Sequence, residues 1–192
     1  MPRRFEIVEK KKNHDVVYLP LRGTKTSAGY DFYTPVDLEI PPQSTVFFWT
    51  DVKASMEDDE ALLLDIRSSL GIKSDLMLAN TIPIVDSDYY NNKKNEGNIG
   101  ICLRNLKPKI EYWGDIECTV LTQNKSLLLQ GFEDHRFEEI HIPRIVDVTD
   151  QNTVFISAGE RVVQGLFIKY LPSENCNTEV ERSGGIGSSG KE

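Results

Sequence analysis

The chain is poor in the residues that build metal centres and disulfide frameworks. Its 192 residues hold three cysteines and three histidines. Cys102, Cys118 and Cys176 form no metal-ligand spacing and leave one thiol unpaired, so they read as buried or incidental thiols in a reducing cytoplasm. No apolar run approaches the roughly 20 residues of a membrane span, and no signal-like apolar stretch opens the sequence. A cytoplasmic chain without membrane contact is expected. Cationic charge is also short: 22 Lys and Arg face 30 Asp and Glu, a net charge of −8. That balance argues against binding nucleic acid backbones, so a polyanionic ligand would need a local cluster of cations and amides. Hydrophobic content of 39% is enough for a folded core, and the length fits one domain with an elaboration.

What the chain does hold is organised around Ile84-Val85-Asp86-Ser87-Asp88-Tyr89-Tyr90. Period-2 alternation there predicts a strand edge or hairpin with Asp86 and Asp88 on one face. Further strands are predicted at Phe5–Val8, Val16–Leu19, Thr45–Val52, Leu62–Ile66, Ile99–Leu103 and Val162–Ile168, with an alternating segment beside Gly29. Lys10–Asp15, Asn91–Gly97 and Ser157–Arg161 read as turns. Residues 106–152 differ in character, with Pro108, Tyr112-Trp113, Leu127-Leu128-Leu129 and a mixed-charge tract. Leu103-Arg104-Asn105 and Thr153-Val154-Phe155 look like strands that a short turn could join, so 106–152 reads as an insertion. His135 and His141, with Glu138 and Glu139 between them, fit no zinc motif.

Arg67-Ser68-Ser69-Leu70-Gly71 follows a predicted buried strand. A guanidinium with two hydroxyls and exposed amides suits phosphate, although a helix N-cap beside an Arg reads equally well. Asp31 is either a turn residue or a carboxylate aimed at a site. The chain closes on Arg182-Ser183-Gly184-Gly185-Ile186-Gly187-Ser188-Ser189-Gly190-Lys191-Glu192. Such a segment is expected to be mobile, yet its glycines would let successive N–H groups converge on phosphate. It nearly spells a P-loop, but Glu192 stands where that motif has Ser or Thr.

Five stretches in this order resemble the trimeric dUTP pyrophosphatases (dUTPases). Ala28-Gly29-Tyr30-Asp31 is similar to the first motif of that family and Arg67–Gly71 to the second. Asn80–Tyr89 resembles the third, Gly159–Gln164 the fourth and the glycine-rich terminus the fifth. The resemblance implies an all-β, distorted antiparallel jelly roll (a β-clip) over residues 1–180, interrupted by the insertion 106–152. Residues 181–192 would form the phosphate-clamping tail. It also implies a homotrimer with active sites between subunits, and hydrolysis of dUTP to dUMP and pyrophosphate, with Mg2+ held mainly by the triphosphate.

By the same resemblance, Asp86 is the general base that deprotonates the water attacking the α-phosphorus. The ring of Tyr89 packs on the deoxyribose and leaves no room for a 2′-hydroxyl. Asn80, with backbone groups around Ile84, Val85 and Gly100, reads the uracil edge. Arg67, Ser68, Ser69 and Gly71 bind phosphate. Asp31 and Gln164 stand near the water shell of the metal, and Arg182, Gly187, Ser188 and Ser189 clamp the β- and γ-phosphates. Ile186 replaces the Phe that stacks on uracil, Pro83 replaces a Gly, and the Tyr90–Gly97 turn is longer than usual. The Arg-to-Gly spacing in the tail is one residue shorter. A dCTP deaminase of the same fold is the alternative enzyme, disfavoured by Asp86-Ser87-Asp88-Tyr89 and the tail. A phage-type dUTPase that also binds a regulatory protein is the other, with Trp113, Phe132 and Phe137 in the insertion as anchors.

Overall fold

The computed structural model describes residues 3–109, 111–121, 137–147 and 152–175, with the backbone alone described in 111–121 and 137–147. Two compact units result, one of Met1–Pro108 with the chain from Thr153 on, the other Lys109–Asn152. The first unit runs β1 (Arg4–Ile7), β2 (Leu21–Arg22), β3 (Tyr30–Tyr33), β4 (Leu38–Ile40), β5 (Thr45–Trp49), β6 (Val52–Ser55) and β7 (Glu60–Ile66). The helix α1 (Ser68–Ser74) follows, then β8 (Leu76–Leu78), β9 (Ile84–Asp86), a 3-10 turn (Ser87–Tyr89) and β10 (Gly100–Asn105). The second unit pairs β11 (Glu111–Leu121) antiparallel with β12 (Phe137–Asp147). The chain then returns through β13 (Val154–Ile156) and β14 (Arg161–Lys169).

The first unit is built from a five-stranded sheet of order β2-β3-β14-β7-β9, a three-stranded sheet β5-β10-β8, and the pairs β1-β6 and β4-β13. Every pairing is antiparallel. This is the all-β architecture expected, and α1 is the single α-helix among the described residues. Alternation explains the strands: in β14, Val163 and Gly165 are buried while Gln164 and Leu166 are exposed. Gly165 is set by close packing, since a Cβ there would lie 2.6 Å from the Phe32 ring and 3.0 Å from Leu62. Phe32, Leu62, Leu64 and Val163 meet around that gap in one core, each such burial contributing about 1.5–3 kcal/mol. Phe5 of β1 sets its ring 5.4 Å from Phe32, 5.2 Å from Tyr30 and 5.3 Å from Phe167, which fastens the first strand to the sheet.

Local structure departs from the sequence expectations at four places. Thr45–Val52 is two strands, because Asp51 adopts φ +56° and breaks the ladder between β5 and β6. Val16–Leu19 forms no strand. Alternation after β9 stops at Asp86, where the chain tightens into the 3-10 turn, so Asp86 and Asp88 do not share a strand face. The strands on either side of residues 106–152 lie in different sheets: β10 pairs with β5 and β8, while β13 pairs with β4.

Candidate active site

Register places the polar residues of the five-stranded sheet. Gln164 in β14 stands opposite Asp31 of β3 on one side and Asp65 of β7 on the other. Asp31 is 3% exposed and sits among donors. Its Oδ1 lies 3.4 Å from Arg67 Nε and accepts from Gln164 Nε2 at 3.1 Å, while its Oδ2 accepts from Arg161 Nη1 at 3.3 Å. One buried carboxylate thus orients two guanidinium groups and leaves the cluster with a net positive charge. Those cations open on a cavity of about 400 Å³ lined by Tyr33, Arg67, Ser69, Leu70, Gly159, Glu160 and Arg161. Glu160 lines the same cavity with its charge in place, its Oε1 accepting from Ser157 N at 3.1 Å.

The Arg-Ser-Ser stretch opens a helix, as one of its two readings had it. Arg67 is the N-cap residue of α1, extended at φ −63° and ψ 136°, and its carbonyl accepts from Leu70 N and Gly71 N. The hydroxyls of Ser68 and Ser69 are exposed on the first turn. Gly71 N–H donates inside the helix to the Arg67 carbonyl at 3.0 Å. Arg161 and Tyr33 were missed as lining residues. Arg161 follows Gly159-Glu160 at the head of β14, but only the register against β3 shows that it meets Asp31.

The organising stretch lies elsewhere on the sheet. Asp86 ends β9 opposite Ala61, and its neighbours Val85 and Ile84 face Leu62 and Leu63. Asp86 and Asp88 are exposed, and Ile84 is 62% exposed. Tyr89 is buried, 7% exposed. Its hydroxyl donates to the Asn98 carbonyl at 2.8 Å and accepts from Asn95 Nδ2 at 2.7 Å. Tyr90 turns the other way, donating to Glu6 and lying under the Lys53 ammonium 5.3 Å from its ring centre. Asn80 is exposed after β8, where its carbonyl accepts from Thr81 Oγ1 at 2.7 Å. Gly100 begins β10 opposite Trp49. A Cβ there would strike the Phe47 ring at 2.5 Å, so glycine lets the Phe47–Trp49 pair close over the strand.

Within one chain, Asp86 and Arg67 are not brought together. Six residue steps along the chain separate Ala61, opposite Asp86, from Arg67, which is about 20 Å at ~3.3 Å per residue. Arg182, Ile186, Gly187, Ser188 and Ser189 lie outside the described residues, as do His135 and Phe132.

A family model described as dUTPase matches residues 15–112. The chain is also 33% identical over 191 residues to a deoxyuridine 5′-triphosphate nucleotidohydrolase of Lactococcus lactis, an alignment covering 98% of this chain and 97% of that one. The chain belongs to the dUTPase family. Among solved structures, a dUTPase from Streptococcus mutans matches with TM-score 0.59 and 30% identity, covering 89% of this chain and 98% of its own. A dUTPase from phage phi11 of S. aureus, solved to visualise its species-specific insert, shares the fold at 20% identity and TM-score 0.59, with coverage of 94% and 97%. The family match ends at residue 112 and leaves most of the second unit beyond it.

Proposed function

We propose that this dUTPase-family chain hydrolyses dUTP to dUMP and pyrophosphate in the cytoplasm, with Asp86 as the base and the Arg67–Arg161 cluster as the phosphate site. The observation that carries this reading is the pair of guanidinium groups held at one mouth by the buried Asp31. Such a pair matches an anionic phosphate chain in charge and in paired donors. Asp86 takes a proton from water as its oxygen bonds to the α-phosphorus, and the bond to the bridging oxygen breaks to release pyrophosphate. Arg67, Arg161, Ser68 and Ser69 hold the oxygens on which charge grows. Ile84, Val85, Asn80 and Gly100 border the base, and Tyr89 meets the sugar.

The residues present fit a magnesium ion held by the substrate rather than by the protein. Asp31 already faces two guanidinium groups and an amide, so it makes a poor direct ligand. Gln164 has turned its amide nitrogen to Asp31, which leaves its carbonyl oxygen as the atom to offer a hydrated ion. When bound, the ion would neutralise phosphate charge and polarise the transferring group. The separation of Asp86 from Arg67 supports a second chain completing each site. A homotrimer, with Arg182 and the segment of Ile186, Gly187, Ser188 and Ser189 closing over the phosphates, supplies it.

The test is pyrophosphate release from dUTP, dCTP, dTTP and UTP with magnesium, for the wild type and Asp86→Asn. Release from dUTP with at least about a hundredfold loss in the variant is expected. Ammonia release from dCTP, or an active variant, would overturn the reading. A second role rests on the separate compact unit Lys109–Asn152: a docking surface for a protein partner. Deleting 109–152 should then leave dUTP turnover within about twofold and abolish partner capture, whereas loss of turnover would assign that unit to the enzyme itself.

A further inference from the structure

The turn between Tyr90 and Gly97 is braced by side-chain amides: those of Asn92 and Asn95 converge on Tyr89, Asn95 Nδ2 also donates to the Asn98 carbonyl at 3.3 Å, and Asn91 Oδ1 accepts from Lys53 Nζ at 2.7 Å. Asn92, 7% exposed, donates from Nδ2 to the Tyr89 carbonyl at 2.8 Å and to Asn95 Oδ1 at 2.7 Å. Its Oδ1 accepts from Lys94 N and Asn95 N, both at 3.0 Å. Asn95 Oδ1 also takes Gly97 N at 3.2 Å, and Asn95 Nδ2 reaches the Tyr89 hydroxyl at 2.7 Å. That hydroxyl donates in turn to the Asn98 carbonyl. Asn98 is itself fixed: it is 1% exposed, its Nδ2 donates to Asp51 Oδ1 at 2.8 Å, and its Oδ1 accepts from Asp51 N at 3.0 Å. At the outer end, the Glu96 carboxylate accepts from Glu9 N at 2.9 Å and Lys10 N at 3.1 Å.

We propose that Asn95 is a positioning residue for sugar selection, acting through the Tyr89 hydroxyl. This rests on the reading above in which Tyr89 meets the deoxyribose. Steric exclusion of a 2′-hydroxyl is only as strong as the wall is stiff. A ring held by one hydrogen bond can swing aside and admit the extra oxygen. A ring whose hydroxyl both donates and accepts, against groups that are themselves anchored, cannot swing without breaking both bonds. Asn95 supplies the second bond from the lengthened turn, which makes that turn the brace of the wall. The 3-10 turn that carries Tyr89 begins directly after Asp86, so the same brace holds the base beside the sugar.

Asn95→Asp tests this, since it keeps the size and the Oδ acceptor but removes the amide donor to Tyr89. Steady-state kcat and KM for dUTP and UTP are measured with magnesium in the full chain for the wild type, Asn95→Asp, Tyr89→Phe and the double variant. The ratio of kcat/KM for dUTP over UTP is expected to fall about tenfold in Asn95→Asp, mainly by a gain on UTP. Tyr89→Phe should give a similar fall, and adding Asn95→Asp to it should change nothing further. An unchanged ratio in either single variant, or an equal further fall in the double variant, overturns the proposal. If Asn95→Asp does not fold, Asn95→Ala takes its place, with the same fall expected and an unchanged ratio overturning the proposal, because Tyr89→Phe also removes the bond to Asn98. A wild type silent on dUTP would overturn the functional reading and this inference together, whereas an active wild type with an unmoved ratio overturns this inference only.

Discussion

Asp31 shows how one residue can act through its neighbours. Its carboxylate separates Arg67 from Arg161, so Asp31→Asn should let the guanidinium groups repel and disorder the proposed phosphate mouth. KM for dUTP is expected to rise about tenfold with a smaller change in kcat, and stability to fall by about 1–3 kcal/mol by urea unfolding. Asp51 plays a purely structural part. Burial opposes its charge, but donors from Asn13, Asn98 and the His14 backbone outweigh that and hold its carboxyl below the ordinary carboxylate range. A carboxyl lowered on folding stabilises the native state above its unfolded value, near pH 4. That contribution is lost as pH falls through the folded value. Asp51→Asn should therefore cost about 2–4 kcal/mol at pH 7 and flatten the decline of stability below pH 4, as read from urea midpoints across pH. Asp86 and Arg67 stood out in the sequence because the chemistry sits in adjacent residue types. Asp51 and Arg161 did not, because their roles come from partners 37 and 130 residues away.

At the scale of elements, alternation made most strands legible, from Phe5 through Leu62–Ile66 to Val162–Ile168. What it concealed were the breaks. A single left-handed residue at Asp51 divides β5 from β6, and apolar alternation carries no trace of that φ. The turn that follows Asp86 was equally hidden, since strand and 3-10 geometry tolerate the same four residues. Gly165 is a sharper test of how β14 fits the sheet. Gly165→Ala places a methyl where Phe32 and Leu62 already are, and should destabilise the chain by about 1–3 kcal/mol in urea unfolding, more than Gly29→Ala, whose Cβ would come no nearer than 3.3 Å to Gln164. A neutral Gly165→Ala would show that the core can yield there.

For the whole molecule, the decisive feature is what a single chain leaves apart. Asp86 and the Arg67 cluster lie about 20 Å from each other along β7, and Ile82 and Ile84 beside Asp86 remain 58% and 62% exposed. An apolar border next to the proposed base fits a site finished by another copy. The sequence could suggest this only through its resemblance to a family, since nothing in residue order measures the span between two sheet positions. The direct test is complementation between Asp86→Asn and Arg67→Ala, each expected to be nearly inactive on dUTP alone. Unfolding both together and refolding them as an equal mixture should restore about one quarter of wild-type pyrophosphate release, the fraction of interfaces that pair an intact Asp86 with an intact Arg67. A mixture as inactive as its parents would mean that both groups serve within one chain, and would contradict the account.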